Sequence, residues 1–226
     1  MASPTPPRRR ANLGPISTGI DTVSTVDAPA YLSFSAEQWR SSVQICLRCE
    51  GELLALRMSK LFEKERPGDF DAGDRAFQAA LRENVDKLQL SIDKYTALLA
   101  RPNPDLSAYN NRGYALLVLG KYKEAIPDFN QAIALRAVEA YAYNNRGFAY
   151  LRSGRASKAL ADIQHSLQLD PVNSYAHRNL GIYFYEQGQY EPALAALERA
   201  QALNAQTPHL QRYLQLAKHS LDQSSQ

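Results

Sequence analysis

Apolar residues recur at intervals of three and four along most of the chain after residue 35, and this spacing lines one face of an α-helix. No segment reads as a β-strand, so the pattern predicts an all-α protein. One long stripe predicts a single amphipathic helix, which Pro102 and Pro104 stop. Its apolar positions are Phe77, Leu81, Val85, Leu88, Ile92, Tyr95 and Leu99.

A second long helix is predicted before this one, over residues 35–65, where Ser35 and Gln38 form a capping box. The Pro-Gly-Asp sequence at 67–69 then predicts the turn between the two helices. Together they are expected to form a helical hairpin over residues 34–103. The hairpin either docks on the region that follows or forms a homodimer, and the second alternative would make this a structural, self-associating protein.

Three segments after the hairpin repeat one another with a period of 34 residues. Residues 109–113 and 143–147 both read YNNRG, and residues 177–181 read HRNLG. Three columns of small residues share the same offset and therefore agree on one register. They are Gly113, Gly147 and Gly181, then Gly120, Gly154 and Gly188, then Ala125, Ala159 and Ala193.

The small residues indicate how each repeat packs, because glycine costs stability inside a helix and does not recur there without a reason. We expect the first glycine column and the alanine column to lie where two paired helices approach closely. The second glycine column would form the turn between them. Three helix pairs are predicted, near 107–119 with 122–135, 141–153 with 156–169, and 175–187 with 190–203.

This pattern resembles the tetratricopeptide repeat (TPR), a 34-residue helix-turn-helix unit with the motif W-x2-L-G-x2-Y, then A-x3-F, then P. Tyr109 and Tyr143 stand where tryptophan is typical, and of the three repeats only one fills the closing proline position, with Pro171. The resemblance implies a right-handed superhelical solenoid within residues 104–207. Its three repeats would occupy residues 106–139, 140–173 and 174–207.

Both ends of such an array need covers, because each repeat shares its core with its neighbours. After Pro208 an apolar stripe over 209–223 is similar to the solvating helix that closes TPR arrays, and we assign residues 208–226 to this cap. At the other end, Ile92 stands 34 residues before Ile126. The second hairpin helix therefore has a repeat-like register.

Composition narrows the possible functions. The formal charge of +3 in 226 residues gives no strong nucleic-acid signal. Residues 1–33 are rich in Pro, Ser and Thr, which predicts a disordered tail, with an arginine-rich organelle transit peptide as the alternative. No apolar run is long enough to span a bilayer, so we expect a cytoplasmic protein without membrane association.

The sequence indicates no catalytic set. Cys46 and Cys49 have the one metal-like or redox-like spacing, but they lie inside a predicted helix without a second pair. The four histidines share no spacing that would gather metal ligands or pair a base with a nucleophile. We therefore expect no enzymatic activity, no cofactor and no metal site.

The resemblance implies a concave groove lined by the first helix of each repeat, and hence a scaffold or adaptor that binds a protein or peptide partner. Aromatic rings and amides there would suit an extended peptide. The repeated asparagine is similar to ladders that hold a peptide by its main chain, or else it stabilises the repeat locally. The candidate residues are Asn110, Asn111, Tyr114, Tyr141, Asn144, Asn145, Phe148, Tyr175, Arg178, Asn179 and Tyr185.

One known TPR site is not expected here. The carboxylate clamp that holds the acidic C-terminal tail of a chaperone needs two lysines, two asparagines and an arginine at set positions of the first helices. The chain has Asn110, Tyr114, Asn145, Tyr175 and Asn179 at those positions, so one of the five matches. Three cations are missing, which argues against a chaperone tail as the partner.

Overall fold

The computed structural model describes residues 56–57, 59–60, 63–64 and 72–224. None of these residues lies in a strand, and those from 72 onward form eight α-helices. The predicted tail, most of the first hairpin helix, its capping box and Cys46 with Cys49 lie outside the described residues. The helices are α1 (Ala72–Leu99), α2 (Leu106–Val118), α3 (Tyr122–Leu135), α4 (Ala140–Arg152), α5 (Ala156–Leu169), α6 (Ser174–Glu186), α7 (Tyr190–Leu203) and α8 (Leu210–Ser224).

Helices α2 with α3, α4 with α5, and α6 with α7 are the three predicted pairs, and their bounds agree with the prediction within one residue. Each pair packs tightly along its length, and each first helix also contacts the second helix of the preceding pair. The predicted all-α solenoid is confirmed. None of the described helices is long and apolar enough to cross a membrane.

The first glycine column lies where the two helices of a pair meet. A Cβ atom at Gly113 would come 2.8 Å from the ring of Phe129, and one at Gly181 would come 2.5 Å from Leu197 Cγ. The alanine column opposite is fully buried, as its member Ala193 shows with no exposed surface. The close approach predicted from the small residues is therefore present in the structure.

The second glycine column ends each first helix. Gly120, Gly154 and Gly188 have φ angles of 82°, 73° and 73°, the left-handed region that side chains disfavour. In the first pair the amide of Gly120 donates to the carbonyl of Leu117, and the amide of Lys121 donates to that of Leu116. This pair of hydrogen bonds is the Schellman motif. It gives partners to carbonyl groups that would otherwise lack a hydrogen bond at the end of the helix.

Two arginines join consecutive second helices. Arg112 donates from Nε to Asp128 Oδ2 on α3 at 2.8 Å and from Nη1 to Thr96 Oγ1 on α1 at 3.1 Å. One repeat later, Arg146 donates to Asp162 on α5 at 2.7 Å and to Asn130 on α3 at 2.9 Å. Helix α1 thus receives the same kind of bond as a second helix of a repeat.

The two ends of the array are covered as the hydrophobic pattern predicts. At the start, Ile92 of α1 packs against the buried cluster around Phe129. At the end, α8 buries one face against the last repeat, with Leu210 and Ala217 fully inaccessible. The first hairpin helix and its role in dimerisation stay predictions, although Leu56 is buried and Gln78 of α1 donates to Glu63 at 3.2 Å.

We expect Gly181→Ala to lower the free energy of unfolding by about 1–3 kcal/mol, although alanine is the better helix former. The added methyl group would meet the branch carbon of Leu197 and, at 3.1 Å, the backbone oxygen of Ala193. Urea denaturation measures the change. Ala161→Met at an exposed position of α5 is the control and should shift stability by less than about 0.5 kcal/mol. A Gly181→Ala variant as stable as the wild type would contradict the close approach.

The third repeat suggests a test of the arginine bonds, because Leu180 and Ala196 occupy the positions of Arg146 and Asp162 there. We expect Arg146→Leu to cost about 2–3 kcal/mol, since it leaves the carboxylate of Asp162, 10% exposed, without its cation. Adding Asp162→Ala should recover at least half of that loss, because the pair then copies the third repeat.

Thermal or urea unfolding of the two single variants and the double variant gives the coupling energy of the pair. Lys87→Met is the matched control, because Lys87 also bonds an acid, Glu83, but both side chains are about two-thirds exposed, at 67% and 66%. This exposed pair should contribute less than about 0.5 kcal/mol. If the effects of Arg146→Leu and Asp162→Ala are additive, the coupling energy is zero. That result would contradict a stabilising bond between the two side chains.

Candidate functional site

The first helices form a continuous surface, because α2 contacts α4, α4 contacts α6, and α6 contacts the capping helix α8. All of the predicted binding residues belong to α2, α4 and α6. We call the surface that carries them the candidate groove. Its members fall into three groups by exposure.

The candidate groove contains exposed, half-buried and buried residues. Tyr114 and Tyr141 are 49% and 50% exposed, which is high for rings of this size. Asn144, Arg178 and Asn179 are buried, with 2%, 8% and 0% of their surface accessible. Asn111 is exposed, and the half-buried members are Asn110, Asn145, Phe148, Tyr175 and Tyr185.

The asparagines form a ladder of amide hydrogen bonds from the first repeat to the third. Asn145 Nδ2 donates to Asn110 Oδ1 at 3.4 Å, and Asn144 Nδ2 donates to Asn145 Oδ1 at 3.3 Å. Asn179 Nδ2 then donates to Asn144 Oδ1 at 2.8 Å. Because buried amides need partners, these bonds give Asn144 and Asn179 a role in stabilising the array.

Arg178 continues the ladder to the cap. Its Nε and Nη2 donate to Asn179 Oδ1 at 3.1 and 2.7 Å, and its Nη1 donates to the carbonyl oxygen of Pro208 at 3.1 Å. The guanidinium carbon also lies 5.6 Å from the ring centre of Phe148 and 5.4 Å from that of Tyr175. The third repeat is thus tied to the segment that leads into α8.

The surroundings of Arg178 are aromatic and change its acidity. Burial lowers the pKa of its guanidinium to about 10, while Tyr114, Tyr213 and Tyr175 act in the opposite direction and raise it. The group therefore keeps its positive charge at neutral pH. The tyrosines come from α2, α8 and α6, so three helices converge on one cation.

Tyr185 lies at the end of the candidate groove, beside the capping helix. Its ring centre is 6.0 Å from that of Tyr213 on α8 and 5.8 Å from that of Tyr190 on α7. Tyr213 and the carbonyl of Pro208 are neighbours of Arg178 that sequence reasoning missed. Their spacing assigned them to the cap, and no repeat offset points to them, because α8 lies outside the 34-residue register.

Comparison with known proteins agrees with the repeat pattern. Two family models, both described as Tetratricopeptide repeat, match residues 107–136 and 138–206. Repeats of this family are generally protein-interaction repeats. Comparison with curated protein sequences gave no match.

Solved structures with a similar fold are TPR domains and MamA. The Sgt2 TPR domain from Aspergillus fumigatus is 25% identical with a TM-score of 0.50, over 55% of this chain and 83% of that one. A structure of MamA from Desulfovibrio magneticus RS-1 is 24% identical with a TM-score of 0.48, over 75% and 95%. The first TPR of Spaghetti (RPAP3), bound to an HSP90 peptide, is 20% identical with a TM-score of 0.47, over 52% and 93%.

We expect Asn179→Ala to lower the free energy of unfolding by about 2–3 kcal/mol. The substitution removes the acceptor of two Arg178 bonds and the donor to Asn144, so a buried cation and a buried amide lose partners. Urea denaturation of the full chain measures the change. Asn111→Ala is the matched control, because Asn111 is exposed and should cost less than about 0.5 kcal/mol. Equal stability of the two variants would show that the ladder contributes nothing.

Proposed function

Since the chain belongs to the tetratricopeptide repeat family, we propose that it is a non-enzymatic scaffold whose candidate groove binds an extended segment of a protein partner. Sequence and structure support different parts of this proposal. The repeats supply a rigid array of first helices. The side chains on that array supply the chemistry for recognition.

The observation that carries the proposal is the exposure of two large aromatic rings on adjacent first helices. Tyr114 of α2 and Tyr141 of α4 each present about half of their surface to solvent, at 49% and 50%. Tyrosine is enriched at the energetic centres of interfaces because it covers a large area with few rotatable bonds and a polar tip. Two such rings on one surface are a suitable anchor for a partner.

Amides beside these rings would fix the direction of a bound segment. Asn110, Asn111 and Asn145 keep accessible surface, and an amide can both donate to and accept from a peptide main chain. Phe148 and Tyr175 add half-buried aromatic area next to them. We assign the contact energy mainly to the exposed rings, while the buried asparagines hold the shape of the surface.

Replacing both exposed tyrosines, Tyr114→Ala with Tyr141→Ala, tests this function. We expect the affinity for a bound segment to fall at least about tenfold, because truncating an aromatic at an interface centre costs about 2 kcal/mol or more. Peptides selected from a displayed library of random linear sequences against the wild-type chain are the probe, and fluorescence polarisation measures their affinity. Both rings are exposed, so the variant should fold normally.

The matched control replaces two exposed aliphatic residues outside the candidate groove, Leu90→Ala on α1 and Val172→Ala before α6, which are 71% and 64% accessible. This variant should bind the selected peptides as the wild type does. Circular dichroism checks that both variants keep their helical content. If no peptide is enriched, or if the tyrosine variant binds with unchanged affinity, the candidate groove is not a peptide site.

A further inference from the structure

Arg178 differs from the other arginines of the first helices in its partners. Arg112, Arg146 and Arg152 bond Asp128, Asp162 and Glu186, at 2.6, 2.7 and 2.9 Å. Arg178 is more deeply buried than any of them, yet within residues 72–224 its bonds go to a side-chain amide and a backbone carbonyl, which are neutral. Its charge has no carboxylate partner in that part of the chain.

Such an arrangement is energetically unusual. Removing a guanidinium from water costs several kcal/mol, and a carboxylate is the ordinary compensation. The rings of Phe148 and Tyr175, at 5.6 and 5.4 Å, give partial compensation through cation-π attraction. Of the five N–H groups of the guanidinium, three are engaged, so two can still donate.

The position of Arg178 connects it to the candidate groove. In the third repeat, Leu180 occupies the position of Arg112 and Arg146, and Arg178 lies two residues before it. Two residues of an α-helix correspond to a rotation of about 200° around the helix axis, so the two side chains point in nearly opposite directions. Arg178 therefore faces away from the second helices and donates to the asparagine ladder on the first helices. Tyr114, the half-exposed anchor of the proposed function, is close enough to raise its pKa.

We propose that Arg178 is the anion-binding residue of the candidate groove and takes a carboxylate of the bound segment. The inference rests on the proposed function, since the carboxylate arrives on that segment. Arg178 is 8% exposed, so a carboxylate would reach the guanidinium through a rotamer change of a surrounding side chain, which takes picoseconds to nanoseconds for exposed residues. A carboxylate would then receive charge-assisted bonds from the two remaining N–H groups.

The same displayed library tests the ligand chemistry. Each enriched peptide is synthesised in three forms: unchanged, with Asp→Asn and Glu→Gln, and with an amidated C-terminus. We expect one of the neutralised forms to bind the wild-type chain about tenfold to a hundredfold more weakly, which corresponds to a hydrogen bond with a charged group. The form that loses affinity tells whether the carboxylate belongs to a side chain or to the chain end.

Arg178→Gln tests the residue through the ratio of the affinities for the unchanged and neutralised peptides. Partial unfolding of this variant would lower the affinity for both peptides by the same factor. The ratio of the two affinities therefore reports on the carboxylate contact and not on the stability of the variant. We expect the ratio to fall to about one. Arg199→Gln, which removes the same charge from an exposed position of α7, is the control and should leave the ratio as in the wild type.

The outcomes separate the two proposals. A failure to enrich any peptide overturns the proposed function and this inference with it. Enriched peptides that bind equally well when neutralised support a groove but overturn the role of Arg178. A preference for carboxylate that survives in Arg178→Gln likewise overturns it, because another cation must then hold the acid.

Discussion

The contact between a glycine on one helix and a bulky side chain on its partner is the constraint on which this array depends. Gly113, Gly147 and Gly181 bring the paired helices so close that an added carbon would meet Phe129, Ile163 or Leu197 at 2.8, 2.9 or 2.5 Å. A fixed distance and angle within each pair sets how pairs stack, and stacking sets the surface of the first helices. The geometry of the candidate groove thus depends on small residues that are buried between the paired helices.

Polar residues use the two sides of the same helices for different purposes. On the side of the second helices, Arg112 and Arg146 bond aspartates of their own repeat and polar side chains of the preceding helix. On the other side, a ladder of amides runs from α2 to α6 and reaches the cap through Arg178. In the third repeat the arginine stands two residues earlier in the repeat, at Arg178. Its positive charge therefore lies on the side of the asparagine ladder and not on the side of the second helices.

This distribution separates residues that hold the shape from residues that can meet a partner. Asn144 and Asn179 have almost no accessible surface, at 2% and 0%, and bond each other, so they act on recognition through the geometry of the array. Tyr114 and Tyr141, in contrast, present about half of their surface to solvent, at 49% and 50%. The proposed adaptor function therefore rests on few side chains, as is common for interfaces in which a minority of residues dominates the affinity.

The sequence by itself determined the all-α class, the 34-residue register and the bounds of the helix pairs, because apolar spacing, turn glycines and small residues act locally and recur. It could not decide which polar groove residues are accessible, since Asn144 and Asn145 are neighbours of identical chemistry and differ only in what packs over them. Nor could it place Tyr213 or Pro208 beside Arg178, because α8 stands outside the repeat and its approach depends on how the last pair ends. Helix α6 belongs to the 34-residue repeat and α8 does not, so only the tertiary structure brings their side chains together. For that reason the tertiary structure alone decided the surroundings of Arg178.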